Sequence, residues 1–203
     1  MLRFGATAAL ALFATPLACI AADLGTKPFI TRSGNPDFLD SGPSWVSAAV
    51  PPGTGYSLNT IGMTYFFEVA GPGGFVPVPV AFDYLMAGGG EGGGVASSRV
   101  QIFTSGTTGP SRSASKPLDG PTYHVEGTID LTVNTNAAYQ VVLVATVGTD
   151  NRPTATGWAY TDPYIHIDSD WLAGHPGYSV RVTPGVLNAI TPVPEPSTLV
   201  QCA

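Results

Sequence analysis

The sequence predicts an all-β protein, an antiparallel β-sandwich with jelly-roll-like topology. Three observations lead there. Apolar and polar residues alternate with period two through most of the span from about residue 44 to 183, with turn residues between the runs. Charged residues are only 11% of the 203 residues, and the helix formers Lys, Glu and Gln are scarce. Gly (25) and Pro (19) punctuate the chain with no collagen-like period.

The clearest strand is 125–133 (VEGTIDLTV). Val125, Gly127, Ile129, Leu131 and Val133 share one face, and Glu126, Thr128, Asp130 and Thr132 share the other. A helix would scatter these residues around its circumference; a half-buried strand separates them. Residues 178–182 (YSVRV) repeat the pattern with Ser179 and Arg181 outward, and 164–168 (YIHID) place Ile165 and Ile167 inward. The β-branched run 139–147 reads as a central strand buried on both faces. Strands are also predicted at 60–69, 75–84, 98–104 and 155–160. Pro77 and Pro79 cannot donate to a ladder, so their strand lies at an edge or is unpaired on one side there. A short helix is expected at 169–173, capped by Ser169 or Asp170.

Three segments read as loops. The tract 87–94 (AGGGEGGG) is expected to be flexible, and it lacks the Lys-Ser/Thr ending of a phosphate loop. Residues 106–121 form a long polar stretch, and 148–153 (GTDNRP) a hairpin connection.

Eight Lys+Arg against fourteen Asp+Glu give a net charge of −6, with no basic cluster to neutralise phosphates, which argues against nucleic-acid binding. The first 22 residues read as a secretory signal. Arg3 is the lone charge before Asp23, residues 6–17 form a short apolar core, and small residues follow Pro16. Cleavage is expected after Ala21 or Ala22. Pro16 stands where a lipobox wants Leu, which argues against acylation of Cys19. Cys19 would leave with the signal, so the mature chain would carry Cys202 alone and no internal disulfide, and the β-domain, expected at 23–190, would carry no Cys.

No residue set announces catalysis, and no cofactor is implied. His124, His166 and His175 lack paired metal-ligand spacing, and there is no G-x-S-x-G nucleophile turn. Asp162, Asp168 and Asp170 are near enough in sequence for a Ca²⁺ loop. The reading preferred here is that Asp162 starts a turn before Pro163 and Asp170 caps the short helix. Trp158, Tyr160 and Trp171 are the candidate carbohydrate contacts, because an exposed flat ring packs against the C–H face of a sugar. Trp158 and Tyr160 share a strand face. Large aromatics at alternating positions more often fill the core; if Gly157 and Ala159 take the core side instead, both rings turn outward.

Residues 191–199 read TPVPEPSTL. This segment resembles the start of the PEP-CTERM sorting signal of Gram-negative bacteria, carried here by Val193, Pro194, Glu195, Pro196 and Ser197. The resemblance implies export, recognition by an exosortase and a place at the cell surface. In that family a transmembrane helix and an Arg-rich tail follow the motif. Here Leu199 is followed by Val200-Gln201-Cys202-Ala203, so the chain as written is expected to be secreted and released. The run 157–186 likewise resembles the last strands of PEP-CTERM proteins. These are taken to be secreted β-domains linked to exopolysaccharide or biofilm matrix. The expected role is therefore a non-enzymatic extracellular-matrix protein. The alternative is a lectin-like module, with or without calcium, whose partner is an extracellular polysaccharide.

Overall fold

The computed structural model describes residues 23–104 and 107–189; the expected signal segment, Cys19, the motif at 191–199 and Cys202 lie outside the described residues. Among the described residues the chain forms eleven strands. They are β1 (Phe29–Ser33), β2 (Leu39–Ser41), β3 (Val46–Val50), β4 (Ser57–Ala70), β5 (Pro77–Glu91), β6 (Gly94–Thr104), β7 (Thr107–Pro117), β8 (Tyr123–Asn134), β9 (Tyr139–Thr149), β10 (Thr156–Ile167) and β11 (Ser179–Val182). One short α-helix, α1 (Ser169–Gly174), follows β10, and a 3-10 turn, Pro36–Phe38, precedes β2.

The strands build two sheets. The six-stranded sheet runs β1-β4-β9-β6-β7, with β11 also on β4; the five-stranded sheet runs β2-β3-β10-β5-β8. Every pairing is antiparallel. The strands β3 to β10 divide as β3-β10-β5-β8 and β4-β9-β6-β7, which is the double Greek-key wrapping of a jelly roll. The period-two pattern is what makes this possible, because each strand offers an apolar face to the space between the sheets. In β8, Tyr123, Ile129 and Val133 are buried, while His124, Glu126, Thr128, Asp130 and Thr132 are exposed. Phe67, Ile61 and Met63 of β4 meet Phe82 and Ile165 of the other sheet in one core. Each fully buried side chain of this size contributes roughly 1.5–3 kcal/mol.

Several sequence expectations are corrected. Strand β9 is central, between β4 and β6, but it is sealed on one face only: Val141, Leu143, Ala145 and Val147 are buried, and Val142, Val144 and Thr146 are half-buried. A two-layer sandwich gives every strand one outer face. The glycine tract is not a flexible loop. It ends β5, crosses between the sheets at Gly92 and Gly93 (φ 84° and 90°) and starts β6. Gly88 is required for packing, since a Cβ there would lie 2.5 Å from the Tyr123 hydroxyl. The polar stretch 106–121 is mostly strand β7, whose Ser111, Ser113 and Ser115 face water at the edge of the six-stranded sheet. The segment 148–153 is not a hairpin connection, because β9 and β10 belong to different sheets. The strands predicted at 155–160 and 164–168 are parts of one continuous strand, β10 (Thr156–Ile167).

Asp162 and Pro163 therefore lie within β10 and start no turn. Pro163 is tolerated because β3 pairs β10 only over Gly157–Thr161, which leaves that side of β10 open beyond. The same logic holds at Pro77 and Pro79, as the sequence indicates. β10 pairs β5 only as far as Val80, so both prolines have β8 alone as a strand partner. Helix α1 is capped by Asp168, whose carboxylate accepts the Trp171 N–H at 2.8 Å, and not by Ser169 or Asp170.

Polar groups also tie the layers together. The Ser98 hydroxyl of β6 lies 2.9 Å from the Tyr123 hydroxyl and donates to the Tyr160 carbonyl at 2.8 Å. The Thr161 hydroxyl donates to the Val144 carbonyl across the core at 3.1 Å. Burial pushes the Tyr123 phenol up to about 12, with the Ser98 hydrogen bond pulling the other way. Burial, and after it the charge of Asp162, drives Tyr65 well above the usual tyrosine range.

Candidate functional site

Antiparallel register fixes what stands on the outer face of the five-stranded sheet. Along β10 the outward positions are Trp158, Tyr160, Asp162, Tyr164 and His166. Opposite them on β5 stand Gly89, Ala87, Leu85, Asp83 and Ala81. On β8, His124 faces Ala87, Glu126 faces Leu85, and Thr128 faces Asp83. Residues more than eighty positions apart in sequence thus become neighbours.

Asp83 is the centre of this face. Its Oδ1 accepts the Thr128 hydroxyl at 2.6 Å, and its Oδ2 lies 3.1 Å from His166 Nε2. The His166 imidazole stacks on the Tyr164 ring, with centroids 5.3 Å apart. Glu126 Oε1 lies 2.8 Å from His124 Nε2. Between β5 and β8 runs a groove of about 410 Å³, lined by Asp83, Tyr84, Leu85, Glu126, Gly127 and Thr128. Gly127 contributes to its form: a Cβ there would lie 2.5 Å from the Tyr84 hydroxyl, so the tyrosine keeps this position only while residue 127 is glycine.

This set combines carboxylate acceptors, a hydroxyl and imidazoles beside a buried aliphatic residue, Leu85. It is suited to holding a polyhydroxylated ligand. It is not laid out as a nucleophile and base. In a Ser-His-Asp arrangement the imidazole takes the hydroxyl proton. Here the carboxylate stands between Thr128 and His166, so the hydroxyl donates to Asp83 and the imidazole meets the other oxygen.

The three aromatic candidates do not form one platform. Trp158 is half-buried on this face, opposite Gly89. Gly157 and Ala159 do take the core side, so Tyr160 does project outward. Yet Tyr160 is 0% exposed, with its ring 5.6 Å from that of Trp45 and its hydroxyl donating to Asp162 Oδ2 at 3.0 Å. As a sugar contact it is corrected, because no ring face is left for a ligand. Trp171 sits in α1, beyond the far end of β10. It stacks on His175 at 4.0 Å and meets Tyr178 edge-on at 5.0 Å. Asp162, Asp168 and Asp170 do not converge on a cation. Asp162 takes the Tyr160 hydroxyl within the sheet, Asp168 caps α1, and Asp170 faces solvent.

Asp83, Leu85 and the grouping of Glu126, Thr128, Tyr164 and His166 were not singled out from sequence. The alternation placed the last four outward, but nothing in the sequence says that β5 lies between β8 and β10.

The fold and this face define a jelly-roll β-sandwich with a polar groove on one outer sheet. No protein-family model matches the chain, and no curated protein matches it. Among solved structures the chain is similar to TmCBM61 in complex with β-1,4-galactotriose, at 14% identity and TM-score 0.37, over 68% of this chain and 88% of that one. It is similar to the N-terminal cellulose-binding domain from Cellulomonas fimi β-1,4-glucanase C at 12% identity and TM-score 0.29, with coverage of 68% and 88%. A CBM4 structure matches at 12% identity and TM-score 0.25, covering 64% of this chain and 88% of that one.

Proposed function

We propose that this protein is an exported, non-catalytic β-sandwich that binds extracellular polysaccharide on the outer face of its five-stranded sheet and acts in the matrix at the bacterial surface. The observation that carries the binding reading is the groove at Asp83. It brings hydrogen-bonding groups from β5 and β8 together beside Leu85, and Asp83 joins it to His166 and the stacked Tyr164 ring of β10, a combination suited to sugar hydroxyls and sugar C–H faces. Export rests on the leader at residues 1–22, and surface sorting on the resemblance at Val193–Ser197.

Affinity electrophoresis in gels containing soluble neutral polysaccharides tests the binding. The wild type is expected to be retarded by at least one of them. Asp83→Ala and Glu126→Ala should migrate freely while keeping the wild-type unfolding midpoint. Migration unaffected by every polysaccharide, or retardation unchanged in both variants, overturns the site. Secreted material should begin at Ala22 or Asp23. Adding an apolar helix and an Arg-rich tail after Leu199 should move the protein to the membrane fraction. In a host with an exosortase it should then be cleaved, unless Pro194, Glu195 and Pro196 are changed to Ala.

A further inference from the structure

The six-stranded sheet carries a second groove, of about 370 Å³, within the size range of small-ligand sites, ~300–1,000 Å³. Its floor follows from register. Leu58 of β4 and Val95 of β6 both stand opposite Gly148 of β9, so three strands contribute one straight row. A Cβ built on Gly148 would lie 3.4 Å from Leu58 Cδ1 and 3.8 Å from Val95 Cγ1. The two aliphatic side chains therefore wall a trough one side chain wide, with bare backbone at its base. Tyr56 rims the groove and is 75% exposed; Leu58 is 53% and Val95 40% exposed.

The next row of the same face is hydroxylic: Thr60, Thr146 and Ser97, with the two threonine hydroxyls 3.2 Å apart. On the other side stand Asp150 and Asn151. An apolar strip of this width, bordered by hydroxyls and side-chain carbonyl groups, matches a sugar ring that is apolar on its face and polar at its edge. Charge points to a neutral glycan. Arg152 is the nearby cation, and it is held by Asp150 at 3.0 Å and Asp119 at 3.5 Å in a chain of net charge −6.

We infer that this trough is a second binding site, for a neutral glycan, and that the protein bridges two polysaccharide strands, because the grooves open on the outer faces of opposite sheets. The bridging rests on the function proposed above; the second site stands on its own geometry. The test is titration of the isotope-labelled full chain with cellotetraose, xylotetraose and maltotetraose, following the amides of Gly148 and Thr128. Both sets are expected to shift with at least one probe. Gly148→Val sets a branched side chain in the trough, its Cβ at ordinary contact distances from Leu58 and Val95, and Tyr56→Ala removes the rim. Each should weaken the response around residue 148 at least tenfold and leave that of Thr128 intact. Beads coated with the recognised glycan should be clustered by the wild type and merely coated by either variant. Shifts confined to Thr128 overturn the second site and leave the first. Shifts confined to Gly148 do the reverse. No shift with any probe overturns both. Variants that alter sedimentation of the free protein without altering glycan binding identify the strip as a self-association surface and also overturn the proposal.

Discussion

Asn188 pairs with the backbone of Ile165 as a neighbouring strand would: its Oδ1 accepts the Ile165 N–H at 2.8 Å and its Nδ2 donates to the Ile165 carbonyl at 2.6 Å. The contact lies where β3 has ended and β10 has no strand on that side. Ile165 is itself a core residue, so its peptide groups need partners that water cannot supply freely. Replacing Asn188 with Ala should cost about 2–3 kcal/mol, since a buried polar group left unsatisfied costs ~1–3 kcal/mol. Asn188→Asp keeps the acceptor but sets a carboxylate oxygen against the Ile165 carbonyl, and should cost at least as much as the Ala change. Urea unfolding midpoints at constant slope would check the order.

Two glycines at strand positions should respond oppositely to a methyl group. At Gly88 a Cβ would meet the Tyr123 ring at 2.5–2.6 Å, so Gly88→Ala should destabilise by roughly 1–3 kcal/mol, as overpacking does. At Gly148 the nearest atom is 3.4 Å away, so Gly148→Ala should be neutral or slightly stabilising. Thermal unfolding of the two variants separates the cases.

Alkaline pH should unfold the protein through its buried phenols. Burial holds the Tyr123 phenol at about 12 in the folded state, above the ordinary tyrosine value of 10.0, and raises Tyr65 as well. The unfolded chain then loses these protons first as pH rises, and stability falls. The contribution is complete below about pH 10 and is lost progressively as pH passes through about 12. Tyr123→Phe should flatten part of this dependence while losing the hydrogen bond to Ser98, at about 1 kcal/mol at neutral pH. Unfolding midpoints measured from pH 8 to 12 check the slope.

Trp45 and Trp158 should differ in what they stabilise. Trp45 packs on Tyr160, so Trp45→Ala should cost about 1–3 kcal/mol, the sum of lost burial and an aromatic pair worth ~0.5–1.5 kcal/mol. Trp158 is half-buried as Trp45 is but meets no aromatic ring among the described residues, so Trp158→Ala should cost less, by about the worth of the aromatic pair. The two variants' chemical unfolding curves give the comparison.

Alternation made the strands legible, and it did so most cleanly where one face is solvated. In β8 the five apolar and four polar positions named from sequence lie on the inner and outer faces as expected. It misled at the ends and crossings. The glycines after Met86 lack side chains with which to show a pattern, yet they are strand because Tyr123 and Thr122 pack onto them. The Ser-rich β7 shows little apolar alternation because an edge strand needs little burial to pair with β6.

The sequence by itself determined the class of fold, the inward face of most strands and the outward direction of Glu126, Thr128, Tyr164 and His166. These are local properties: a period of two residues is written in each strand alone. Only the tertiary structure decided that Asp83 stands between Thr128 and His166, that Gly148 lies between Leu58 and Val95, and that Tyr160 is covered while Tyr56 is bare. Those relations join strands up to about a hundred residues apart. Strand order and register are set by how all the apolar faces close over one core, and no single strand carries that information.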